Sequence, residues 1–257
     1  MPYCTNNIAQ HFNRAAGSYD QVASIQQRHI ALAAEQLAKR IAPDSLVADI
    51  GCGTGEFGKE ARRKVHAWNV MGVDIAAAMC EQSKQHQQHT AQGNVQQIPL
   101  ANNAADTTCC HFTLQWSNDP AGAIAELARI TKQGGYIAIL SFTSGTLSEL
   151  GDACEAAGAP NKVNHFHNAE AYADWLSDNN LQCIEQHVTS ETSYYKNAMG
   201  LFAALKNMGA TNSNPSSING LGNRTILKDI SHKYDQKHMT EQGVQASWNI
   251  GYWLYQK

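Results

Sequence analysis

The sequence predicts an α/β protein whose core is a mostly parallel sheet, and three observations carry that expectation. Between Leu46 and Phe142, short apolar runs alternate with stretches of helical period. Such alternation requires crossover connections, which build parallel sheets. The first apolar run leads directly into Gly51, Gly53 and Gly55, three glycines at every second position, as in a turn that feeds a ligand site. The C-terminal segment alternates with period two, as a strand does. A length of 257 residues suits one large core plus an insertion, so residues 1–257 are expected to form a single domain.

Taken in order, an N-terminal arm, residues 1–21, is polar and broken by Gly17. Val22 to Arg40 then places Ile25, His29, Leu32, Ala33 and Leu37 at helical intervals and stops before Pro43. Leu46–Ile50 reads as a strand, Glu56–Val65 as a helix, Asn69–Asp74 as a strand, Ala76–His89 as a helix and Asp106–Leu114 as a strand. Asp119 caps the next helix, Pro120 occupies its first turn, and Ile124, Leu127, Ala128 and Ile130 form its apolar face. Gly134-Gly135 closes that helix, and Tyr136–Phe142 is apolar enough for a strand buried on both faces. Beyond Gly145 the rhythm changes. A helical stretch from Leu147, a loop with Pro160, His165 and His167, and a helix over Ala169–Leu176 read as a lid, segments 145–180, with a second lid segment over 196–237. Val244, Ala246, Trp248, Ile250, Tyr252 and Leu254 finish the chain as a strand with one wet face.

Composition narrows the function. Nineteen basic against 22 acidic residues give a net charge of −3, which does not describe a nucleic-acid binder relying on a broad positive field. Seven cysteines, with no Cys-x-x-Cys and with Cys109 and Cys110 adjacent on a buried strand, point to a reducing compartment. No charged-then-apolar leader and no run of about 18 apolar residues is present, so the expected location is the cytoplasm, away from membranes.

In Asp49-Ile50-Gly51-Cys52-Gly53-Thr54-Gly55 the backbone can approach a ligand where any Cβ would collide. A dinucleotide fingerprint would place its third glycine at Glu56, and a glutamate there repels phosphate. Asp49 and Glu56 together favour a zwitterionic or cationic ligand. Asp74 follows the last glycine at about the interval expected for an acid that accepts ribose hydroxyls, and Asn94, after Gly93 and before Val95, can accept from an adenine amine. The alternatives are a capping Asp74 and a turn-forming Asn94.

The order Val47–Gly55, Val73-Asp74-Ile75, Ile98-Pro99-Leu100 and Leu114-Gln115-Trp116 resembles the class I S-adenosylmethionine-dependent methyltransferases. That resemblance covers about 46–142. It implies a doubly wound, Rossmann-like seven-stranded sheet whose last strand is antiparallel. S-adenosyl-L-methionine is then the implied cofactor and S-adenosyl-L-homocysteine the product. By resemblance, Asp49 and Gly51, Cys52, Gly53, Thr54 and Gly55 face the methionine part. Asp74 faces the ribose, Asn94 and Val95 the adenine, and Leu114 the wall beside it, with Ile75 and Met79 also among the cofactor-binding residues. The family usually has an acid at the Asn94 position.

A sulfonium methyl leaves a neutral thioether, so its transfer needs alignment and desolvation rather than a metal. An amine, catechol or carbon acceptor needs a proton removed, whereas a carboxylate is already ionised at pH 7. No Asn/Asp-Pro-Pro-aromatic motif that grips amines is present. Phe12-Asn13-Arg14-Ala15-Ala16-Gly17-Ser18-Tyr19-Asp20 and Leu205-Lys206-Asn207-Met208-Gly209-Ala210-Thr211 are similar to the malonyl-acyl-carrier-protein O-methyltransferases of biotin synthesis, which extends the resemblance over nearly the whole chain. The implied reaction is methylation of the free carboxylate of malonyl-acyl carrier protein or malonyl-CoA. Tyr19 then closes over the methionine end, Arg14 or Lys206 pairs with the malonyl carboxylate, and Gln115 and Trp116 line the acceptor pocket. Arg14 can equally be a solvated helix residue and Lys206 a lid residue that snorkels. Residues 196–237 hold six basic against two acidic side chains, a face that would steer an acidic carrier protein. His86 with His89, sharing a helix face, and His165 with His167 lack further ligands at metal spacing. Two rival functions are a methyltransferase for another small molecule, such as a quinone precursor, and a non-catalytic nucleoside-binding regulatory partner.

Overall fold

The computed structural model describes residues 5–65, 68–161, 163–209 and 221–257. Three helices open the chain: α1 (Thr5–Ala15), the single turn α2 (Tyr19–Val22) and α3 (Ser24–Ala38). There follow β1 (Leu46–Ile50), α4 (Glu56–Lys64), β2 (Asn69–Asp74), α5 (Ala77–Ser83), β3 (His89–Gln92) and β4 (Ala105–His111). A 3₁₀ turn, Leu114–Trp116, precedes α6 (Pro120–Ile130) and β5 (Thr131–Phe142). The last third comprises α7 (Ser148–Ala156), α8 (Ala169–Asp178), β6 (Gln182–Tyr195), α9 (Ala198–Asn207), α10 (Leu221–His238), the short β7 (Met239–Thr240) and β8 (Gly243–Gln256).

The main path across the sheet runs β3-β2-β1-β4-β5-β8-β6, with β7 pairing only on β8. The pairings among β1 to β5 are parallel, and β8 is antiparallel to both β5 and β6. This is the doubly wound sheet with seven strands on its path and a reversed final strand. One face is covered by α3, α4, α7, α9 and α10, with Leu37, Phe57, Leu150, Leu201 and Tyr234 in its core. The other is covered by α6 and α8, with Ile124, Leu127, Tyr172 and Leu176 in its core. Covering both faces explains the near-continuous burial of β5 from Ile137 to Phe142. The Asp119 side chain accepts from Gly122 N at 2.9 Å and Pro120 is the first helical residue of α6. A cap of this kind stabilises a helix by about 1 kcal/mol.

Several boundaries differ from the sequence expectation. The helix expected over 76–89 is α5 alone, so His86 lies in the turn after it and His89 in β3; they share no helix face. Gly134-Gly135 does not close α6. That helix stops at Ile130, and Gly134, at φ +77°, sits inside β5 where the β4 register shifts between Ala105 and Thr107. Leu114 lies beyond β4, in the 3₁₀ turn. Leu32, expected on the apolar face of α3, is 58% exposed. β8 alternates only through Ile250; from there to Tyr255 it is buried throughout because it lies between β5 and β6. β6 itself, an edge strand with both faces largely wet, has no apolar pattern in Gln182–Tyr195 that would announce it. α8 belongs to the layer packed on the sheet, not to a lid, since Tyr172 and Leu176 are fully buried. Among the described residues no helix is long and apolar enough to cross a membrane.

Candidate active site

The carboxyl ends of β1, β2, β3 and β4 open on one cavity, where open α/β sheets bind their ligands. It is roofed by α1 and α2, which contribute Thr5, Ile8, Phe12 and Tyr19. The roof is tied down by Thr54, whose hydroxyl donates to Asp20 Oδ1 at 2.6 Å, and by Ala78 N, which donates to Asn13 Oδ1 at 2.8 Å. The arm thus has a defined role as a roof.

The glycine turn forms the floor. Gly51, Gly53 and Gly55 have φ of +73°, +54° and +91°, the left-handed region that favours glycine. They do different work. A Cβ on Gly51 would stand 1.9 Å from Thr113 Oγ1, and one on Gly55 3.0 Å from Ser83 Cα, so these two permit packing. A Cβ on Gly53 would meet no protein atom within 4 Å, and Gly53 lines the cavity. That open cradle is where ligand atoms can approach the backbone.

Asp74 lies on the wall, 8% exposed, with Oδ2 accepting from Gly53 N at 2.9 Å and Oδ1 from Ala76 N at 2.8 Å. Each oxygen keeps a second lone pair for a ligand hydroxyl. Burial raises its pKa, while the amides of Ala76, Gly53 and Ile75 oppose the rise. Ile75, Met79, Asn94 and Val95 line the same cavity. The Asn94 oxygen already accepts from Gln96 N at 3.0 Å, which fixes the side chain in a turn. Tyr19 also lines it, and burial, then Asp74 and Asp20, push its phenol well above the usual value.

Asp49, Cys52, Thr54, Gly55 and Leu114 support this wall from behind without lining it. Asp49 is 2% exposed and accepts from Gln87 Nε2 at 2.8 Å; burial, then the Asp74 carboxylate, push its pKa up to about 7. Glu56 is held by Lys59 Nζ at 2.9 Å, so its charge is compensated, while Asp49, Asp74 and, at the roof, Asp20 make the site acidic. Cys52 is a buried filler beside Ser83, and Leu114 belongs to the sheet core.

A second cavity adjoins the first and shares Phe12, Tyr19, Phe112 and Trp116 with it. Gln26, Gln115, Phe142, Leu147, Leu150, Asn164, Phe166, Leu205, Met208 and Trp248 complete much of its wall, and among the described residues no charged side chain lines it. Gln115 is fixed there: Ser141 Oγ lies 3.0 Å from its Oε1 and 2.8 Å from Tyr172 Oη. Arg14 and Lys206, expected beside the acceptor, line neither cavity. Both are exposed and share a separate surface groove with His11 and Ser18.

His111 is the group that sequence reasoning overlooked. It is 5% exposed, lines the first cavity, and neither ring nitrogen has a hydrogen-bond partner. Burial lowers its pKa to about 3, which keeps the imidazole neutral. Continuing the Asp49–Cys109 register by two residues brings it alongside Gly51. The only sequence signal was its position at the end of an apolar run. Phe12 and Phe112, which wall both cavities, were equally silent.

The pattern of the methyltransferase domain matches residues 48–139. The malonyl-[acyl-carrier protein] O-methyltransferase of Serratia marcescens is 30% identical over 233 residues, 88% of this chain and 87% of the relative. The chain belongs to that methyltransferase family. The biotin biosynthesis bifunctional protein of Cellvibrio japonicus is 29% identical over 95% of this chain, which spans 49% of that longer protein. The fold matches the crystal structure of geranyl diphosphate C-methyltransferase from Streptomyces coelicolor in complex with S-adenosyl-L-homocysteine, at TM-score 0.54 and 15% identity over 94% of this chain and 82% of the other. Two outer motifs of the chain reach the cavities: Phe12 and Tyr19 belong to the roof, and Leu205 and Met208 wall the second cavity.

Proposed function

We propose that this chain is an S-adenosylmethionine-dependent carboxyl O-methyltransferase that esterifies the free carboxylate of malonyl-acyl carrier protein, or malonyl-CoA, as an early step toward biotin. The observation that carries the reading is the pair of cavities meeting at Phe12, Tyr19, Phe112 and Trp116, in a chain whose family relatives match it almost end to end. The free cysteines among the described residues, five buried and one exposed, suit a reducing cytoplasm.

The residues fit S-adenosylmethionine by their own chemistry. Asn94 and Val95 at the end of β3 offer a slot for the adenine and Asp74 at the end of β2 two acceptors for the ribose. Gly53 and His111, around β1 and β4, take the amino-acid end. When bound, that compound supplies an activated methyl on a sulfonium. The Asp49–Asp74 pair puts negative potential behind a cationic ligand, and the neutral His111 can donate from one nitrogen and accept at the other. Tyr19 and Phe12 exclude water from the reacting gap, and Gln115 and Trp116 line the acceptor side. The acceptor needs no base, since a malonyl carboxylate is ionised at neutral pH. Attack of carboxylate on sulfonium destroys both charges, and a cavity lined among the described residues by uncharged side chains favours a step in which charge disappears.

The exposed Arg224, Lys228 and Lys233 on α10 form the face we assign to docking of the acidic carrier. Lys237 is occupied with Asp152 at 2.6 Å. The test is incubation with malonyl-acyl carrier protein and S-adenosylmethionine, read by mass spectrometry. A gain of one methyl on the carrier-bound acyl group is expected. No gain on any malonyl thioester, with transfer to a quinone precursor instead, overturns the acceptor.

A further inference from the structure

Arg14 and Lys206 are separated by most of the chain yet converge on one exposed groove of about 560 Å³, with His11, Ala15, Ser18, Asn207 and Gly209. Arg14 is in the last turn of α1 and Lys206 in the last turn of α9. The two helices meet closely: a Cβ on Gly209 would stand 3.3 Å from that of Ala15, and Ser18 Oγ donates to Asn207 O at 3.4 Å. Neither cation forms an ion pair or a side-chain hydrogen bond among the described residues, whereas Lys59, Arg63, Arg129 and Lys237 each have an acidic partner. Two exposed cations on one groove, neither with an acidic partner among the described residues, leave their charge free for a visiting anion.

The same two helices line the second cavity from their other sides, through Phe12 on α1 and through Leu205 and Met208 around the end of α9. The groove and the cavity are therefore the outer and inner faces of one seam. Cations exposed in the groove are screened by water and act only weakly on an anion inside the cavity. A substrate whose reacting end sits in the cavity and whose arm leaves over the α1–α9 seam would carry an anion at its outer end past them. Resting on the reading above, in which the substrate is a malonyl thioester, we propose that Arg14 and Lys206 bind the phosphate at the far end of the thioester arm, and that the malonyl carboxylate is held by uncharged groups in the cavity. Arg14 supplies a planar fork that matches phosphate and Lys206 a point charge. Both malonyl-acyl carrier protein, through its phosphopantetheine diester, and malonyl-CoA present such a phosphate.

The experiment compares the wild type with R14Q, K206Q and the double variant on malonyl-acyl carrier protein, malonyl-CoA and malonyl-pantetheine, the last lacking phosphate. The double variant is expected to lose about tenfold more kcat/KM on malonyl-CoA than on malonyl-pantetheine, the loss residing in KM and shrinking at high salt. A like loss on the carrier substrate extends the site to the diester; a loss on malonyl-CoA alone restricts it to the free cofactor thioester and overturns the carrier half of the proposal. Equal losses on malonyl-CoA and malonyl-pantetheine would mean that the cations serve the carboxylate, and no loss on either phosphate-bearing substrate would mean that they serve neither. Calorimetric binding of phosphopantetheine against pantetheine separates this idea from the assigned reaction. Preference for the phosphate form by the wild type, lost in the double variant, supports the groove even if no malonyl thioester is methylated. Absence of that preference in the wild type overturns it.

Discussion

Gly53→Ala is the substitution for which the structure gives opposite expectations for folding and for binding. At φ +54° an alanine is strained, which costs about 1–2 kcal/mol, but its methyl would touch no protein atom within 4 Å. For a chain of this size that cost corresponds to a fall in Tm of about 2–8 °C. The methyl occupies the cradle in which ligand atoms would lie. Overpacking of this kind costs roughly 1–3 kcal/mol, so S-adenosyl-L-homocysteine affinity should fall roughly tenfold to a hundredfold. Gly51→Ala is the contrast: its Cβ would stand 1.9 Å from Thr113 Oγ1, so the fold itself should suffer more than in Gly53→Ala. Thermal melts and calorimetric titration of both variants provide the test. Affinity within twofold of wild type for Gly53→Ala, or a melt as damaged as that of Gly51→Ala, would refute the assignment of Gly53 to the ligand.

Asp49 gives a pH signature. Its pKa is raised from 3.8 to about 7 in the folded chain, so the native state binds more protons than the unfolded state in that window and stability falls as pH rises through it. Asp49→Asn should flatten this dependence in thermal melts, and the preference for cationic S-adenosylmethionine over neutral S-adenosyl-L-homocysteine should grow between pH 6 and 8 in the wild type only. Asp20→Ala removes the acceptor of the Thr54 hydroxyl and loosens the roof; cofactor affinity should drop about tenfold, with faster proteolysis near α1 as the second readout. His111→Ala should weaken S-adenosyl-L-homocysteine about tenfold while leaving 5′-methylthioadenosine, which lacks the amino-acid end, nearly unaffected; equal losses would move His111 elsewhere on the ligand. Charge reversal at Lys228 and Lys233 should raise the carrier-protein KM at low salt, and an unchanged KM would remove α10 from docking.

Most of the parallel half was legible because β1, β4 and β5 are largely buried strands; β3, a half-exposed edge strand of sequence HTAQ, was not, and the helix expected over 76–89 ran into it. Leu46–Ile50 and Asn69–Asp74 have the predicted bounds. β6 was not legible, because an edge strand with two wet faces leaves no period in Gln182–Tyr195. Gly134 misled because a glycine bulge inside a strand and a glycine after a helix look the same in sequence. Within the site, the strand-end residues Asp74, Ile75, Asn94 and Val95 and the turn glycines Gly51 and Gly53 all face the cavity, since the turn dictates where they point. The placement of Arg14 and Lys206 was not legible, because whether each faces the second cavity or the outer groove depends on how α1 packs on the end of α9, where Ala15 meets Gly209.

In the proposed reaction an already ionised carboxylate attacks the methyl carbon inside a cavity whose described lining residues carry no charge. Its most direct test is transfer of an isotopically labelled methyl from S-adenosylmethionine to malonyl-CoA, followed by NMR of the product. A methoxy carbon released as methanol by mild alkali is the predicted result; label on carbon, nitrogen or sulfur of the acceptor, stable to that alkali, would contradict the account.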